Sequence, residues 1–334
     1  MKTALFGFAA SGKTELFHAL AGEQGKHGSR AMVKIPEPRL KPLAELFSPR
    51  KVTAAEIEYL DLPGGGKGSG LGQRVLSEIR PYDCLVAVLD SFSGLSDPRD
   101  QHRAIEEDLA IADLAVAEKR LERLRLDKRK DRELVDPREE ELLEKAAAHL
   151  ESGQPLRIDP ALADARELRG FCFLSAKPIL YVWNVAENDR GASPPAPGFR
   201  QAHIALSAKL ERELAELEDP EERAAFLEDL GLKRPALDRV IAETFELLGL
   251  ITFLTTGEKE VRAWTVPRGS TAPEAAGTVH SDLQKGFIRA EVLSWQDFLT
   301  CGTFKKAREK GLLRLEGKDY VVQDGDIITF RFNV

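Results

Sequence analysis

Gly7-Phe8-Ala9-Ala10-Ser11-Gly12-Lys13-Thr14 matches G-x-x-x-x-G-K-[ST], the spacing of a phosphate-binding loop. An apolar strand pattern, Thr3-Ala4-Leu5-Phe6, precedes it, and Glu15-Leu16-Phe17-His18-Ala19-Leu20 follows with helical periodicity. Small residues at 9–12 let successive backbone N–H groups turn inward around a phosphate, and the helix opening near Lys13 adds the positive end of its dipole. In that frame Ala9, Ala10, Ser11, Gly12 and Glu15 line the bound nucleotide. Lys13 reaches the β- and γ-phosphates, and the Thr14 hydroxyl ligates Mg²⁺. Lys13 and Thr14 are therefore the expected catalytic pair, with a nucleoside triphosphate and Mg²⁺ as cofactors.

Working outward, four more apolar runs read as strands: Ile57–Leu60, Cys84–Leu89, Ile179–Trp183 and His203–Leu206. Their apolar character is nearly continuous, as for strands buried on both faces, and helical stretches separate them. This implies a doubly wound, parallel α/β sheet of the P-loop NTPase (Ras-like) kind. The second strand ends in Asp61-Leu62-Pro63-Gly64, a D-x-x-G element. Asp61 at a strand tip is placed to hold Mg²⁺ through a water, and Gly64 N–H to meet the γ-phosphate. Six glycines fall within Gly64–Gly72, which suits a loop that changes shape with the γ-phosphate, or simply a flexible surface loop. The fourth strand closes on Asn184-Val185-Ala186-Glu187, where a guanine site has Asn-Lys-x-Asp. Without that aspartate the two-hydrogen-bond grip on guanine is lost, and adenine becomes the better fit for Asn184, Val185 and Glu187. Ser207-Ala208-Lys209, after the fifth strand, fits the loop that covers the base.

Between the third and fourth strands the pattern changes. From about Arg103 to Leu134 the chain is helical, charged and free of Gly and Pro. Ala110, Leu114, Ala117, Leu121 and Leu124 form one stripe, with Ile105, Leu109, Ala112 and Val116 beside it. Asp136-Pro137 starts a second helix as N-cap and first residue, and Ser152-Gly153 ends it. The pair is expected as a helical hairpin inserted into the nucleotide domain, although each helix singly could equally pack on the sheet. Past about Leu248 the texture turns β, with strands expected at Ile251–Thr255, Val261–Val266, Ala290–Leu293, Tyr320–Val322 and Ile327–Phe332, and a helix near Ala272–Gln284. The expected domains are 1–100 with 174–249 for the nucleotide, 101–173 for the arm and 250–334 for a small C-terminal fold.

At 334 residues, 43% hydrophobic and 31% charged, the chain has the composition of a soluble globular protein with room for two or three domains. A net charge of −7 argues against nucleic-acid binding by bulk attraction. The three cysteines have no metal-type spacing, and Cys84 and Cys172 are expected to be buried thiols. No signal peptide or membrane-length apolar run is evident, so a cytoplasmic protein with no membrane partner is expected. A P-loop small-molecule kinase is disfavoured, because no arginine cluster or lid for a second phosphate is evident.

Taken together, Asn184-Val185-Ala186-Glu187, the helical insertion and the C-terminal region resemble the YchF-type Obg-like ATPases. The resemblance is dense at Lys259–Thr265, Ala272–Gly277, Lys285–Ala290, Glu316–Tyr320 and Asp324-Gly325-Asp326, with further matches at Pro36–Leu40 and Gly68–Gly72. It implies a C-terminal TGS-like β-grasp domain, binding of ATP at least as well as GTP, and association with the ribosome or RNA through the arm and C-terminal domain. No DNA specificity is expected. The basic candidates for RNA are Lys285, Arg289, Lys305, Lys306, Arg308 and Lys310, the last four equally readable as a solvated helix face. Two departures from the family's pattern stand out. The segment Ala21–Ile35 is short and holds Ser29 as its one hydroxyl, where the family closes a threonine on Mg²⁺. Gly65 carries no side chain to orient water, and the loop Leu89–Pro98 lacks the histidine to which the family assigns part of that task; His102 is the nearest substitute. Hydrolysis is accordingly expected to be slow, and the alternative is a hydrolysis-deficient recruitment module.

Overall fold

The computed structural model describes residues 1–62, 64, 70–131, 135–189, 194–217, 219–232 and 234–333. Pro63 and 65–69 of the glycine run, and 132–134 at the end of the expected long helix, lie outside the described residues. Two compact units emerge: Met1–Val33 with Ile57–Leu247, and Lys34–Glu56 with Leu248–Val334.

The first unit is a six-stranded sheet in the order β2-β4-β1-β5-β6-β7. Its strands are β1 (Lys2–Phe6), β2 (Arg30–Lys34), β4 (Glu56–Asp61), β5 (Cys84–Ser91), β6 (Ile179–Val185) and β7 (Gln201–Leu206). Pairings β1–β4, β1–β5, β5–β6 and β6–β7 are all parallel. Consequently the carboxyl ends of five strands meet along one sheet edge, the place where open α/β sheets bind ligands. Register confirms the alignment: Leu5 stands beside Asp61, and Asp90 beside Asn184. The sheet interior is dry, with Ala4, Leu5, Phe6, Val86, Ala87 and Val88 inaccessible to solvent.

Helices α1 (Lys13–Ala21), α3 (Gly72–Ile79), α7 (Ala208–Glu216), α8 (Pro220–Asp229) and α9 (Ala236–Leu247) belong to this unit, as do α4 (Pro98–Lys130), α5 (Pro137–Glu151) and the short α6 (Pro160–Ala163). Helix α4 runs 33 residues, about 50 Å at 1.5 Å per residue. It begins earlier than the sequence reading placed it. Asp97 caps it by accepting from Arg99 N at 2.8 Å, with Pro98 at the first position; Asp136 and Pro137 do the same for α5. The two stripes of α4 serve two cores, except that Val116, expected beside Ala112, packs with the hairpin core. Ile105, Leu109 and Ala112 join the sheet and α3, whereas Ala110, Ala117, Leu121 and Leu124 pack with Leu142, Leu143, Ala146 and Leu150 of α5.

The second unit holds β3 (Lys51–Thr53), β8 (Leu250–Thr255), β9 (Glu260–Pro267), β10 (Phe287–Leu293), β11 (Arg314–Glu316) and β12 (Ile327–Phe332), ordered β11-β10-β12-β8-β9-β3. Its helices are α2 (Leu40–Phe47), α10 (Ala272–Val279), α11 (Ser281–Lys285), α12 (Trp295–Cys301) and α13 (Phe304–Glu309). The sheet closes over α10, whose Ala272, Ala275 and Ala276 are fully buried with Phe253, Ala290 and Val292, a β-grasp arrangement. The segment Lys34–Glu56 is part of this unit: β3 adds a parallel edge to β9, and Arg39 binds Asp324 at 2.7 Å and Glu37 at 2.6 Å. Tyr320–Val322 is not a strand. Val321 makes a single bridge to Thr271, while the Tyr320 hydroxyl donates to Asp326 at 2.7 Å and anchors the stretch as a loop.

Cys172 also departs from expectation: it is exposed, whereas Cys84 and Cys301 are buried. Its left-handed backbone, φ 50°, turns the thiol outward while Phe171 and Phe173 stack behind it at 5.4 Å. Among the described residues no helix is long and apolar enough to cross a membrane.

Candidate nucleotide site

The loop after β1 is shaped by close approach. A Cβ at Gly7 would lie 2.5 Å from the Val88 carbonyl oxygen, and Gly12, at φ 87°, leaves no room between itself and the Asn184 amide. Ala10 adopts φ 63° and completes the turn that aims the loop N–H groups inward. Lys13 is buried to 9% exposure beneath it. Gly64 sits directly against this cradle, since a Cβ there would meet Lys13 Nζ at 2.9 Å and Ala9 Cα at 3.0 Å. The D-x-x-G glycine and the phosphate loop are therefore in contact, as the spacing predicted.

Thr14 Oγ1 donates to Asp61 Oδ2 at 2.9 Å, bringing the two expected metal ligands together. Burial raises the Asp61 carboxyl above its ordinary value, opposed by the Thr14 hydrogen bond and by Lys13. Asp61 Oδ1 and Ser11 Oγ are buried with no hydrogen-bond partner. Unmatched buried oxygens beside a lysine fit a missing cation and phosphate better than a finished core. No group of three or more His, Cys, Asp or Glu suited to a metal occurs among the described residues. A hydroxyl and one carboxylate match Mg²⁺, which takes few protein ligands and completes its octahedron with water and phosphate oxygens.

Beyond the phosphate loop a cleft of about 720 Å³ is lined by Gly12, Glu15, Asn184, Val185, Glu187, Ser207, Ala208 and Lys209, among others. The residues that the sequence reading gathered for the base side thus line one cleft. Asn184 is 5% exposed. Its amide nitrogen donates to the Ser11 carbonyl at 3.0 Å, and its oxygen accepts from Ala208 N at 2.9 Å. Asn184 therefore ties the phosphate loop to the first residue of α7. The Ser207 hydroxyl accepts from Leu210 N and caps α7. Glu187 pairs with Lys209 across the cleft mouth, and Glu15 with Arg212 at 2.6 Å.

Phe92 was missed by the sequence reading. It lines the cleft at 43% exposure, and Asp90 holds its loop by accepting from Phe92 N at 3.1 Å and Ser93 N at 3.0 Å. The signal was Asp-x-Phe at a strand end, an Asx turn presenting an aromatic. Arg212 and Asn188 were missed as well.

His102 is not among the cleft-lining residues. Its ring packs edge-on to Tyr181 at 4.3 Å and shares the Gln201 amide with His203, and burial holds its pKa below the usual value. Ser29, the lone hydroxyl of its segment, contributes its carbonyl, which accepts from Asp61 N at 2.7 Å.

Fold and site together define a P-loop NTPase with a C-terminal β-grasp unit. Residues 250–333 match the family model YchF-GTPase_C, described as a protein of unknown function (DUF933). The chain is 40% identical to the "Ribosome-binding ATPase YchF" of Bacillus subtilis (strain 168), covering 99% of this chain and 98% of that protein. It is 37% identical to the protein of the same name in Escherichia coli O157:H7, over 100% and 99%. The Schizosaccharomyces pombe YchF GTPase structure superposes with a TM-score of 0.87 at 28% identity, over 99% and 97% of the two chains. The chain belongs to the YchF family of Obg-like ATPases.

Proposed function

We propose that this protein is a nucleotide-dependent switch that binds ATP, and GTP less well, with Mg²⁺, hydrolyses it slowly, and works in the cytoplasm on the ribosome. The observation that carries the reading is convergence: Lys13, Thr14, Asp61, Gly64 and the cleft from Asn184 to Lys209 all gather at one sheet edge. Bound Mg²⁺ would neutralise charge building on the phosphates, held by Thr14 Oγ1 and, through water, by Asp61. The chain itself supplies the rest. Loop N–H groups and Lys13 fix the phosphates, Asn184 ties the phosphate loop to the first residue of α7, and Phe92 offers a face for the base. Glu187, engaged by Lys209 and one methylene longer than aspartate, supports adenine over guanine.

Ribosome association is carried over from the similar ribosome-binding ATPases of Bacillus subtilis and Escherichia coli. The hairpin within 101–173 and the C-terminal domain from 250 onward are the proposed contact surfaces. Lys285, Arg289, Lys305, Lys306, Arg308 and Lys310 are all exposed there. A second reading, the hydrolysis-deficient recruitment module, is favoured by one observation: His102, the histidine the sequence offered as a substitute, packs on Tyr181 and His203 and does not line the cleft.

The test is titration with ATP and GTP plus Mg²⁺, with turnover followed in the same samples, with and without ribosomes. Tighter ATP binding with slow turnover supports the switch, and binding without turnover in either sample supports the recruitment module. Lys13→Ala should abolish binding of both nucleotides; retained binding sinks the site assignment.

A further inference from the structure

Helix α3 follows the Asp61–Gly64 element, and its N-terminus is held by the arm helix α4. The N-cap residue Leu71 supplies no side-chain acceptor. Instead Leu71 N–H donates to Asp108 Oδ2, on α4, at 2.6 Å. The approach is tight: a Cβ at Gly70, where φ is +84°, would lie 2.7 Å from that same oxygen. Only glycine lets the carboxylate reach the backbone here. At the far end of α3, the Arg80 guanidinium donates to Asp113 Oδ1 at 2.9 Å and to the Ala112 carbonyl at 3.0 Å, both on α4. Asp113 is fully buried, and its second oxygen accepts from Ser175 N at 2.7 Å. Between the two ties, Val75, Leu76 and Ile79 of α3 share one core with Ile105, Leu109 and Ala112 of α4. Helix α3 is thus tied to α4 at both ends and along its length.

Gly64 rests on Lys13 and Ala9, the groups that would meet the phosphates. Five residues, 65 to 69, separate it from Gly70. Gly64 thus lies against the phosphate loop, and Gly70 and Leu71 against a carboxylate of the arm helix, which runs on unbroken by Gly or Pro to Lys130.

We infer that Asp108 is a positioning residue for the γ-phosphate side of the site, and that the arm helix thereby takes part in telling triphosphate from diphosphate. This rests on the nucleotide-binding reading above. Because coupling is reciprocal, a partner that displaces α4 changes triphosphate retention by the same factor that the triphosphate changes partner affinity.

The experiment measures Mg²⁺-ATP and Mg²⁺-ADP dissociation constants for the full chain, Asp108→Ala and Asp108→Asn. ADP lacks the phosphate that Gly64 would meet, so it reports the loop of Lys13 and Thr14 alone. In Asp108→Ala the ATP-over-ADP preference should fall about fivefold or more, the low end of typical site-to-site coupling, with ADP affinity little changed. Asp108→Asn keeps an oxygen to accept from Leu71 N–H and should retain the preference. Gly70→Ala, which pushes the same carboxylate away, should reproduce the loss and serves if Asp108→Ala does not fold. Equal weakening of both nucleotides, as from mere destabilisation, overturns the assignment, as does an unchanged ratio in Asp108→Ala or Gly70→Ala. A wild-type protein that binds neither nucleotide overturns the underlying reading instead.

Discussion

Replacing Asn184 by alanine tests whether this residue is framework or only a base contact. Its side chain satisfies two buried backbone groups, the Ser11 carbonyl at 3.0 Å and the Ala208 N–H at 2.9 Å. Orphaning a buried polar group costs ~1–3 kcal/mol, so two give an upper range of ~2–6 kcal/mol. Asn184 also lines the cleft, so water can enter from that side and recover part of the loss. The lower end, ~2–3 kcal/mol, is the expectation. For a domain of roughly 150–250 residues that corresponds to a fall in Tm of about 4–12 °C. The assay is thermal unfolding without nucleotide, which removes any contribution from ligand binding. Asn184→Asp sharpens it: the carboxylate still accepts from Ala208 N–H but sets an oxygen against the Ser11 carbonyl, so its loss should be at least as large. An Asn184→Ala protein that melts with wild type in the absence of nucleotide, yet binds ATP weakly, would refute the framework role.

Three further outcomes follow from the site. Burial holds the Asp61 pKa above its ordinary value, so the charged form costs folding free energy; that stability is present at low pH and is lost as pH rises through the raised pKa. Asp61→Asn without nucleotide should therefore melt no lower than wild type at pH 7 but lose the Mg²⁺-dependent part of its ATP affinity, and undiminished Mg²⁺ dependence would exclude it as a ligand. Phe92→Ala should weaken ATP and GTP alike by roughly five- to 150-fold, since base stacking is worth ~1–3 kcal/mol and every base has a π-face; isothermal titration reads this, and an unchanged Kd removes Phe92 from the base site. Burial, then His102, pushes His203 from 6.5 down to about 4. The unfolded chain thus takes up that proton first, and stability falls as pH drops from about 6.5 through about 4. His203→Gln should show a shallower fall in melting temperature over that window, and parallel curves would remove His203 as the cause.

How much of this was legible in the sequence depends on what each element is buried against. Strands β1, β5 and β6 are covered on both faces, and a continuous apolar run announces that. Strand β2, Arg30-Ala31-Met32-Val33-Lys34, lies at the sheet edge and alternates exposed and buried, so a search for continuous runs passes it over. The start of α4 was available: Asp97-Pro98 is the same signal as Asp136-Pro137, recognised forty residues later. The double seam of α4 was visible as two stripes, but which stripe faces the sheet is a tertiary fact. The place of Lys34–Glu56 was not legible at all. Arg39 finds Asp324, and Lys51–Thr53 find β9, across more than two hundred residues, and no local pattern encodes such a pairing. In the site, spacing motifs named Lys13, Thr14, Asp61 and Gly64 because their geometry is fixed by the backbone; Phe92 and Arg212 escaped because a side chain reaching into a cleft from a loop has no spacing rule.

That same division between backbone and side chain separates binding from hydrolysis. In the proposed site phosphate affinity rests on loop N–H groups, a helix terminus and Lys13, so the side chains of Ala9, Ala10 and Ser11 matter little to it while Lys13 is indispensable. Water activation depends on one side chain at one point. Among the described residues lining the cleft no histidine or glutamine occurs, and His102 is held by Tyr181 and Gln201. A group supplied in trans to a P-loop site raises turnover by roughly 10³–10⁵. The switch and the recruitment module therefore differ by orders of magnitude in ribosome-stimulated turnover while agreeing in affinity, and the rate with the partner present is the quantity that decides between them.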